Sequence, residues 1–169
     1  MSVNIVLTGL MGSGKTTVGK LLTKKIKGYT LVDVDDVLQD LEGITITEIF
    51  ETKGEEYFRN LEKEVISELA QEENLIISLG GGAYEDSETR DNLAENGVVF
   101  YLKAGADTLY NRIKDDNSRP LLACEDPKSK LEELLTKREP NYLKSDYVIE
   151  TDGLEPDNIA EEIVKRLES

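Results

Sequence analysis

The 169-residue sequence contains no histidine and a single cysteine, Cys124. Without histidine, Ser-His-Asp catalysis, Cys-His catalysis and every His-ligated metal site are excluded. One cysteine cannot form an internal disulfide, so a disulfide-stabilised secreted scaffold is excluded and a reducing compartment is expected. We interpret Cys124 as an incidental residue, because no histidine or basic neighbour would activate it as a nucleophile.

Long apolar runs and an excess of basic residues are also missing. The apolar runs are only a few residues long, as at Val98–Leu102, so none is expected to span a membrane. The N-terminus has no basic region and no cleavage site, and no signal peptide is expected. Twenty Lys and Arg against 35 Asp and Glu give a net charge of −15, which argues against nucleic-acid binding. A cytoplasmic protein with no nucleic-acid or membrane partner is therefore expected.

The residues that are present predict one domain over residues 1–169. A chain of this length buries about 70% of its unfolded surface, and hydrophobic residues make up 38% of it. Apolar or β-branched runs predict buried strands at about Val3–Thr8, Tyr29–Asp33, Leu75–Leu79, Val98–Leu102 and Tyr147–Glu150. Helical patterns separate these runs, which predicts an α/β fold with a parallel sheet covered by helices on both faces. Ligands of such sheets bind beyond the carboxyl ends of the strands.

Capping residues support the predicted helices. Thr45-x-x-Glu48 has the spacing of a capping box. Gly97 is expected to end the helix that precedes the fourth strand, and Pro156 is expected in the first turn of the last helix.

A glycine-rich loop follows the first predicted strand. Gly9–Thr16 reads GLMGSGKT and matches G-x-x-x-x-G-K-[ST]. Its glycines let backbone N–H groups surround phosphate oxygens, and the next helix directs its positive end at the same anion. Lys15 is expected to reach the β- and γ-phosphates, and the Thr16 hydroxyl is expected to ligate Mg²⁺. The alternative is a glycine-rich turn with a solvated lysine, and the strand–loop–helix context favours nucleoside triphosphate binding.

Acidic residues follow the second predicted strand. Asp33 and Asp35 alternate with valines, so both carboxylates point to one side if the strand continues that far. One carboxylate would then organise waters around Mg²⁺ and the other an acceptor hydroxyl. The alternative is a solvated acidic turn that caps the next helix, the role expected for Asp36.

Three glycines, Gly80–Gly82, follow the third predicted strand. A simple turn needs one or two glycines, so three suggest a backbone that approaches a ligand closely. A plain flexible loop is the alternative.

Arginine is used sparingly, and three arginines are candidates for anion binding. Arg59 lies on an apolar helix, where Glu62 three residues later can hold it in place. Arg119 lies in a stretch with little helical pattern, which we interpret as a mobile lid of about residues 114–126. Arg138 lies near a helix end. Arginine favours bidentate carboxylate and phosphate partners, although a surface ion pair is the alternative for any one of them.

In this order, the motifs resemble those of the shikimate kinase family. The resemblance covers about Asn4–Ile163. Its motifs are GLMGSGKTT (Gly9–Thr17), DVD (Asp33–Asp35), FRNLE (Phe58–Glu62), GGG (Gly80–Gly82) and RPLL (Arg119–Leu122), followed by the segment Arg138–Tyr142. The glycine-rich loop is shared by many kinases, whereas the combination is specific to this family.

The resemblance implies a three-layer P-loop kinase fold with strand order 2-3-1-4-5, a substrate-binding helical region at about residues 34–62 and the lid. It also implies ATP and Mg²⁺ as cofactors and transfer of the γ-phosphoryl group to the 3-hydroxyl of shikimate. The expected partner is this small-molecule substrate, and the protein is expected to be a monomer.

Site residues are implied by the same resemblance. The catalytic residues are Lys15, Asp35 and Arg119. The ATP-binding residues are Gly12, Ser13, Gly14, Lys15, Thr16, Thr17, Arg112, Arg119 and Pro156, and the metal residues are Thr16 and Asp33. The shikimate-binding residues are Asp35, Arg59, Gly80, Gly81, Gly82 and Arg138.

Two other functions remain as alternatives. A gluconate kinase or a nucleoside monophosphate kinase would share the glycine-rich loop, but not the FR-x-x-E, GGG and RPLL motifs together. A regulatory nucleotide-binding protein would bind ATP without acceptor-dependent release of ADP.

Overall fold

The structure, a computed structural model, describes residues 2–115 and 124–169. Its strands are β1 (Asn4–Thr8), β2 (Thr30–Asp33), β3 (Leu75–Ser78), β4 (Gly97–Lys103) and β5 (Tyr147–Glu150). Its α-helices are α1 (Lys15–Lys25), α2 (Val34–Glu42), α3 (Ile46–Lys53), α4 (Glu55–Leu69), α5 (Ser87–Glu95), α6 (Ala106–Ile113), α7 (Pro127–Tyr142) and α8 (Pro156–Glu168). A short 3₁₀ helix covers Ala83–Glu85. All five predicted strands are confirmed, with ends that differ by at most one residue.

The strands form one parallel sheet of order β2-β3-β1-β4-β5. The central strand β1 is buried along its whole length, and its Val6 pairs with Ile77 on one side and Val99 on the other. Because every strand runs the same way, the loops that follow the strands meet at one edge of the sheet. The predicted strand order is confirmed.

Helices cover both faces of the sheet because the side chains of β1 alternate between them. Ile5 and Leu7 face one core, which α1 and α8 complete with residues such as Val18 and Ile163. Val6 faces the other core, to which the helices from α2 to α7 contribute. The two cores make the three layers that were predicted. In the described part of the chain, no helix is long and apolar enough to cross a membrane.

The helix caps agree with the sequence at two predicted positions. The Thr45 hydroxyl accepts a hydrogen bond of 3.2 Å from the backbone N–H of Glu48 at the start of α3, as the capping-box spacing predicted. Pro156 is in the first turn of α8.

The end of β2 differs from the prediction. The strand stops at Asp33 and α2 begins at Val34, so Asp35 lies in the first helical turn rather than on a continuing strand. Asp33, not Asp36, caps α2: its Oδ1 accepts hydrogen bonds from the backbone N–H of Asp35 at 3.0 Å and of Asp36 at 3.4 Å. These bonds satisfy N–H groups that the helix cannot pair internally, and they favour helix over further strand.

The predicted role of Gly97 is also wrong. Helix α5 ends at Glu95, and Gly97 is the first residue of β4. A methyl group built on Gly97 would lie 2.7 Å from the carbonyl oxygen of Leu93. Glycine is therefore required here because the strand starts directly against the end of the helix.

Candidate active site

The glycine-rich loop joins β1 to α1 in the arrangement that binds phosphates. Gly12 and Gly14 have φ angles of 82° and 91°, a left-handed conformation that favours glycine. The Lys15 ammonium lies over the loop and donates to the carbonyl oxygens of Gly9 at 2.7 Å and Leu10 at 3.1 Å. A lysine and the positive end of α1 thus meet at one loop, which suits a polyphosphate.

Helix α6 packs directly on this loop. Nη1 of Arg112, in its last turn, donates to the Gly12 carbonyl oxygen at 3.1 Å. A methyl group built on Gly12 would lie 2.9 Å from Cγ2 of Ile113. The structure therefore brings Arg112 to the predicted ATP site.

The other predicted ATP-binding residues are placed in different ways. Ser13 is buried in the loop, and its Oγ lies 3.4 Å from the Lys15 ammonium. Thr17 is exposed on α1, and Pro156 lies on α8, which packs against α1. Arg119 lies outside the described residues.

Thr16 and Asp33 form the candidate metal site. The Thr16 hydroxyl donates to Oδ2 of Asp33 at 2.8 Å, so the first residues of α1 and the end of β2 are joined. Within residues 2–115 and 124–169, no group of three or more Asp, Glu or Cys side chains could enclose a metal. One hydroxyl and one carboxylate without such a cage fit Mg²⁺, which binds few protein ligands and takes the rest from phosphates and water.

The glycine triplet Gly80–Gly82 is the point where the acceptor residues converge. A methyl group on the first glycine would lie 2.9 Å from Oδ1 of Asp35. A methyl group on Gly81 would lie 3.1 Å from Nη1 of Arg138, and one on Gly82 would lie 2.5 Å from Nη2 of Arg59. Three side chains, from α2, α4 and α7, therefore lie against the triplet where a Cβ would stand. This packing disfavours a plain flexible loop.

The triplet also lies beside the phosphate loop. A methyl group on Gly81 would be 3.8 Å from both the Gly9 carbonyl oxygen and the Met11 backbone nitrogen. The two loops, which follow the neighbouring strands β3 and β1, are thus close enough for one added methyl group to contact the phosphate loop. A molecule on the triplet would be next to a phosphate on the loop.

Glu62, which was predicted only as a partner of Arg59, also belongs to this cluster. Its Oε1 accepts a 2.8 Å hydrogen bond from Nη1 of Arg59, as the spacing predicted. Its Oε2 has no hydrogen-bond partner among the described residues and lies 3.2 Å from a methyl position on Gly80. Burial raises the pKa of Glu62, and the Arg59 charge opposes that rise. The i, i+3 spacing was the sequence signal that could have assigned it to the site.

Tyr142 is a second residue of the site for which no role was predicted. It is fully buried, and its hydroxyl donates to the Gly81 carbonyl oxygen at 2.5 Å. Burial raises its pKa to about 12, so it remains a donor at neutral pH. Its position four residues after Arg138 puts both on one face of α7, and this was the available signal.

A cleft of about 480 Å³ opens beside the triplet, a volume typical of small-molecule sites. Its lining holds four cationic and four acidic side chains: Arg59, Lys63, Lys137 and Arg138, and Glu55, Glu62, Glu85 and Asp86. Glu62 pairs with Arg59, and Asp86 pairs with Lys63. The guanidinium groups of Arg59 and Arg138, which lie on the triplet, are the cationic groups placed to bind a small anionic molecule.

A central phosphate loop with an arginine-lined acceptor cleft beside it, on a sheet of this order, defines a P-loop kinase that acts on a small molecule. Solved structures that are less than 25% identical to this chain share its fold. One is a gluconokinase from Sinorhizobium meliloti, which is 19% identical, with a TM-score of 0.62 over 98% of this chain and 93% of that chain.

A sequence model described as shikimate kinase matches residues 11–168. The shikimate kinase of Thermodesulfovibrio yellowstonii is 44% identical over 98% of this chain and 95% of its own. The structure of shikimate kinase from Acinetobacter baumannii in complex with shikimate is 37% identical, with a TM-score of 0.94 over 99% of this chain and 93% of that chain. The chain belongs to the shikimate kinase family. The predicted fold and the predicted class of ATP-dependent kinase are confirmed, and gluconate kinase is not favoured.

Proposed function

We propose that this protein transfers the γ-phosphoryl group of ATP to the 3-hydroxyl of shikimate, in the cleft between the phosphate loop and Gly80–Gly82. The observation that carries the proposal is the convergence of Asp35, Arg59 and Arg138 on the triplet, beside the phosphate loop. Membership of the shikimate kinase family and the relative solved with shikimate support it.

The acceptor carboxylate would be held by two guanidinium groups. Arg59 and Arg138 lie on adjacent glycines of the triplet, and arginine binds carboxylates in a bidentate geometry. Glu62 keeps Arg59 in place through its 2.8 Å bond. These contacts fix the ring of the acceptor relative to the phosphate loop.

Asp35 would orient the reacting hydroxyl and accept its proton. Its carboxylate lies against Gly80, on the side of the triplet next to Glu62. As α2 begins at Val34, its first turn holds the Asp35 side chain at this edge of the sheet. A carboxylate within hydrogen-bonding reach of a hydroxyl can act as a general base.

The phosphates of ATP would bind to the loop residues Gly12–Thr17. The Lys15 ammonium would exchange its two loop carbonyl partners for the β- and γ-phosphates. Arg112 and Pro156 would border the adenine. Holding both reactants in one geometry supplies much of the rate of phosphoryl transfer.

Thr16 and Asp33 would hold Mg²⁺, Thr16 as a direct ligand and Asp33 through water. When bound, Mg²⁺ neutralises charge on the β- and γ-phosphates. Asp33 also caps α2, so the carboxylate that orients the Thr16 hydroxyl is fixed by a helix. The metal site and the Asp35 turn are therefore built on the same residues.

The role of Arg119, stabilising charge on the transferred phosphoryl group, remains a prediction because Arg119 lies outside the described residues. The lid at about residues 114–126, the helical region at 34–62 and the single domain over 1–169 remain predictions too, as do the cytoplasmic location and the monomeric state.

The test is release of ADP with ATP, Mg²⁺ and one acceptor at a time: shikimate, gluconate, AMP, CMP or none. Release that depends on shikimate is expected, with formation of shikimate 3-phosphate. Release with gluconate or a nucleoside monophosphate in place of shikimate would refute the proposal. ATP binding without acceptor-dependent release would favour a regulatory protein.

A further inference from the structure

The carbonyl groups of the glycine triplet Gly80–Gly82 are all hydrogen bonded. The Gly80 carbonyl accepts a hydrogen bond of 3.2 Å from the backbone N–H of Ala83, and the Gly82 carbonyl accepts one of 3.3 Å from the backbone N–H of Glu85. The Gly81 carbonyl accepts from the hydroxyl of Tyr142, on α7. In the part of the chain that the structure describes, none of the three glycine N–H groups donates to a backbone carbonyl. The backbone of the fold therefore does not use these donors.

The bond from Tyr142 sets the direction of one of these donors. In a trans peptide unit, the Gly81 carbonyl and the Gly82 N–H point in opposite directions. Tyr142 is fully buried and packs on Tyr101 with 4.8 Å between ring centroids, so its hydroxyl approaches Gly81 from the core. The Gly82 N–H must then point away from the Tyr142 hydroxyl, and Gly82 lines the cleft.

Tyr142 also joins the triplet to the helix that carries Arg138. The two residues are four apart on α7 and share a face. Nη1 of Arg138 lies 3.1 Å from the methyl position of Gly81, the glycine whose carbonyl Tyr142 holds. One turn of α7 thus supplies both the guanidinium group beside the triplet and the hydrogen bond that orients it.

We propose that Tyr142 is a positioning residue for the acceptor: its hydroxyl holds the Gly81–Gly82 peptide so that the Gly82 N–H faces the acceptor beside Arg138. Glycine has the greatest backbone freedom of any residue, and three in succession would otherwise rotate. The inference rests on the proposed function, because shikimate is the acceptor it concerns. It predicts that the Tyr142 hydroxyl affects acceptor binding and leaves ATP binding unchanged.

The test compares Tyr142→Phe with Tyr101→Phe, a matched control. Both changes remove one buried hydroxyl, but the Tyr101 hydroxyl donates to Glu139 at 2.9 Å and not to the triplet. We expect Tyr142→Phe to raise the KM for shikimate about tenfold, about 1.4 kcal/mol, with the KM for ATP unchanged. We expect Tyr101→Phe to leave both constants unchanged. A wild-type shikimate KM in folded Tyr142→Phe, or an equal rise in both variants, would overturn the inference.

A measurement on the wild type covers the case in which Tyr142→Phe does not fold. The ¹⁵N order parameters of Gly81 and Gly82 without ligand should be near 0.85, the value for rigid backbone. Values below about 0.6 would show that the peptide is not held and would overturn the inference. A wild type that phosphorylates no shikimate refutes the proposed function alone, because these order parameters still report on the Tyr142 bond.

Discussion

Replacing Gly82 with alanine would test the close packing of Arg59 on the glycine triplet. Gly82 has φ −96° and ψ −6°, which alanine adopts without strain, so the backbone should be unaffected. The new methyl group would lie 2.5 Å from Nη2 and 2.8 Å from Cζ of Arg59. Because contacts normally begin near 3.5 Å, the guanidinium group must retreat by about 1 Å.

A retreat of this size predicts a defined loss. It would stretch the 2.8 Å bond between Arg59 and Glu62 beyond hydrogen-bonding range and move the guanidinium group from the acceptor carboxylate. A hydrogen bond to a charged group contributes about 1.5–3 kcal/mol, so kcat/KM for shikimate should fall about ten- to a hundredfold. The KM for ATP should stay within about twofold, since 1.4 kcal/mol is needed for a tenfold change.

The assay is steady-state ADP release at varied shikimate and saturating ATP, with thermal unfolding to confirm the fold. Gly105→Ala is the control, because its methyl group would lie 3.4 Å from Oδ2 of Asp152, an ordinary contact, and its φ of −71° suits alanine. If Gly82→Ala kept the wild-type kcat/KM for shikimate, or if Gly105→Ala lost as much, the proposed role of the Arg59 contact would be refuted.

Four further substitutions test other parts of the site. Lys15→Ala should lower kcat at least a hundredfold with Tm unchanged. Lys20→Ala, five residues further along α1 and exposed, should have wild-type kinetics. Near-normal turnover in Lys15→Ala would contradict the phosphate role. Asp35→Asn should lower kcat while calorimetry shows unchanged ATP affinity, and a loss of ATP binding would contradict its role as base. Arg138→Ala should mainly raise the KM for shikimate, and a weaker affinity for ATP instead would show that Arg138 is misassigned. Burial raises the pKa of Glu62 in the folded protein, so this carboxyl favours folding most below about pH 4 and less as the pH rises. The Tm of Glu62→Gln minus the Tm of the wild type should therefore increase from pH 4 to pH 7. A constant difference in Tm would contradict the raised pKa.

The fold and the phosphate loop could be predicted because their signals are local. Each strand is an apolar run, and the β1–loop–α1 unit needs only its own glycines, Lys15 and Thr16. The pair Arg59 and Glu62 is local in the same sense, three residues apart on one helix.

The convergence on the triplet is a tertiary feature. Asp35, Arg59 and Arg138 are far apart along the chain, and only the sheet order brings them to Gly80–Gly82. Family resemblance named these residues, but spacing alone would not have joined them. The Tyr142 bond was missed for the same reason, because it spans 61 positions of sequence.

The end of β2 shows how a local pattern can mislead. Val32-Asp33-Val34-Asp35 alternates between apolar and polar residues as a strand does, yet aspartate is also a favoured N-cap residue of helices. The cap prevails because its carboxylate bonds two backbone N–H groups of α2. Helix capping by Asp33 and the strand-like alternation of apolar and polar residues therefore compete at this position. The two-residue period of the sequence does not by itself decide between helix and strand.

The double use of the Asp33 carboxylate makes its charge state matter for the neighbouring hydroxyl. One oxygen accepts hydrogen bonds from two backbone N–H groups of α2, and the other accepts a hydrogen bond from the Thr16 hydroxyl. The lone pairs of that hydroxyl are therefore available to a cation. An asparagine at position 33 would have the same shape. If its oxygen accepted the hydrogen bonds from α2, its NH₂ group would donate to the Thr16 hydroxyl. The bond would reverse, and the hydroxyl proton would turn outward against the metal. A carboxylate thus satisfies both neighbours at once, and an amide would satisfy only one.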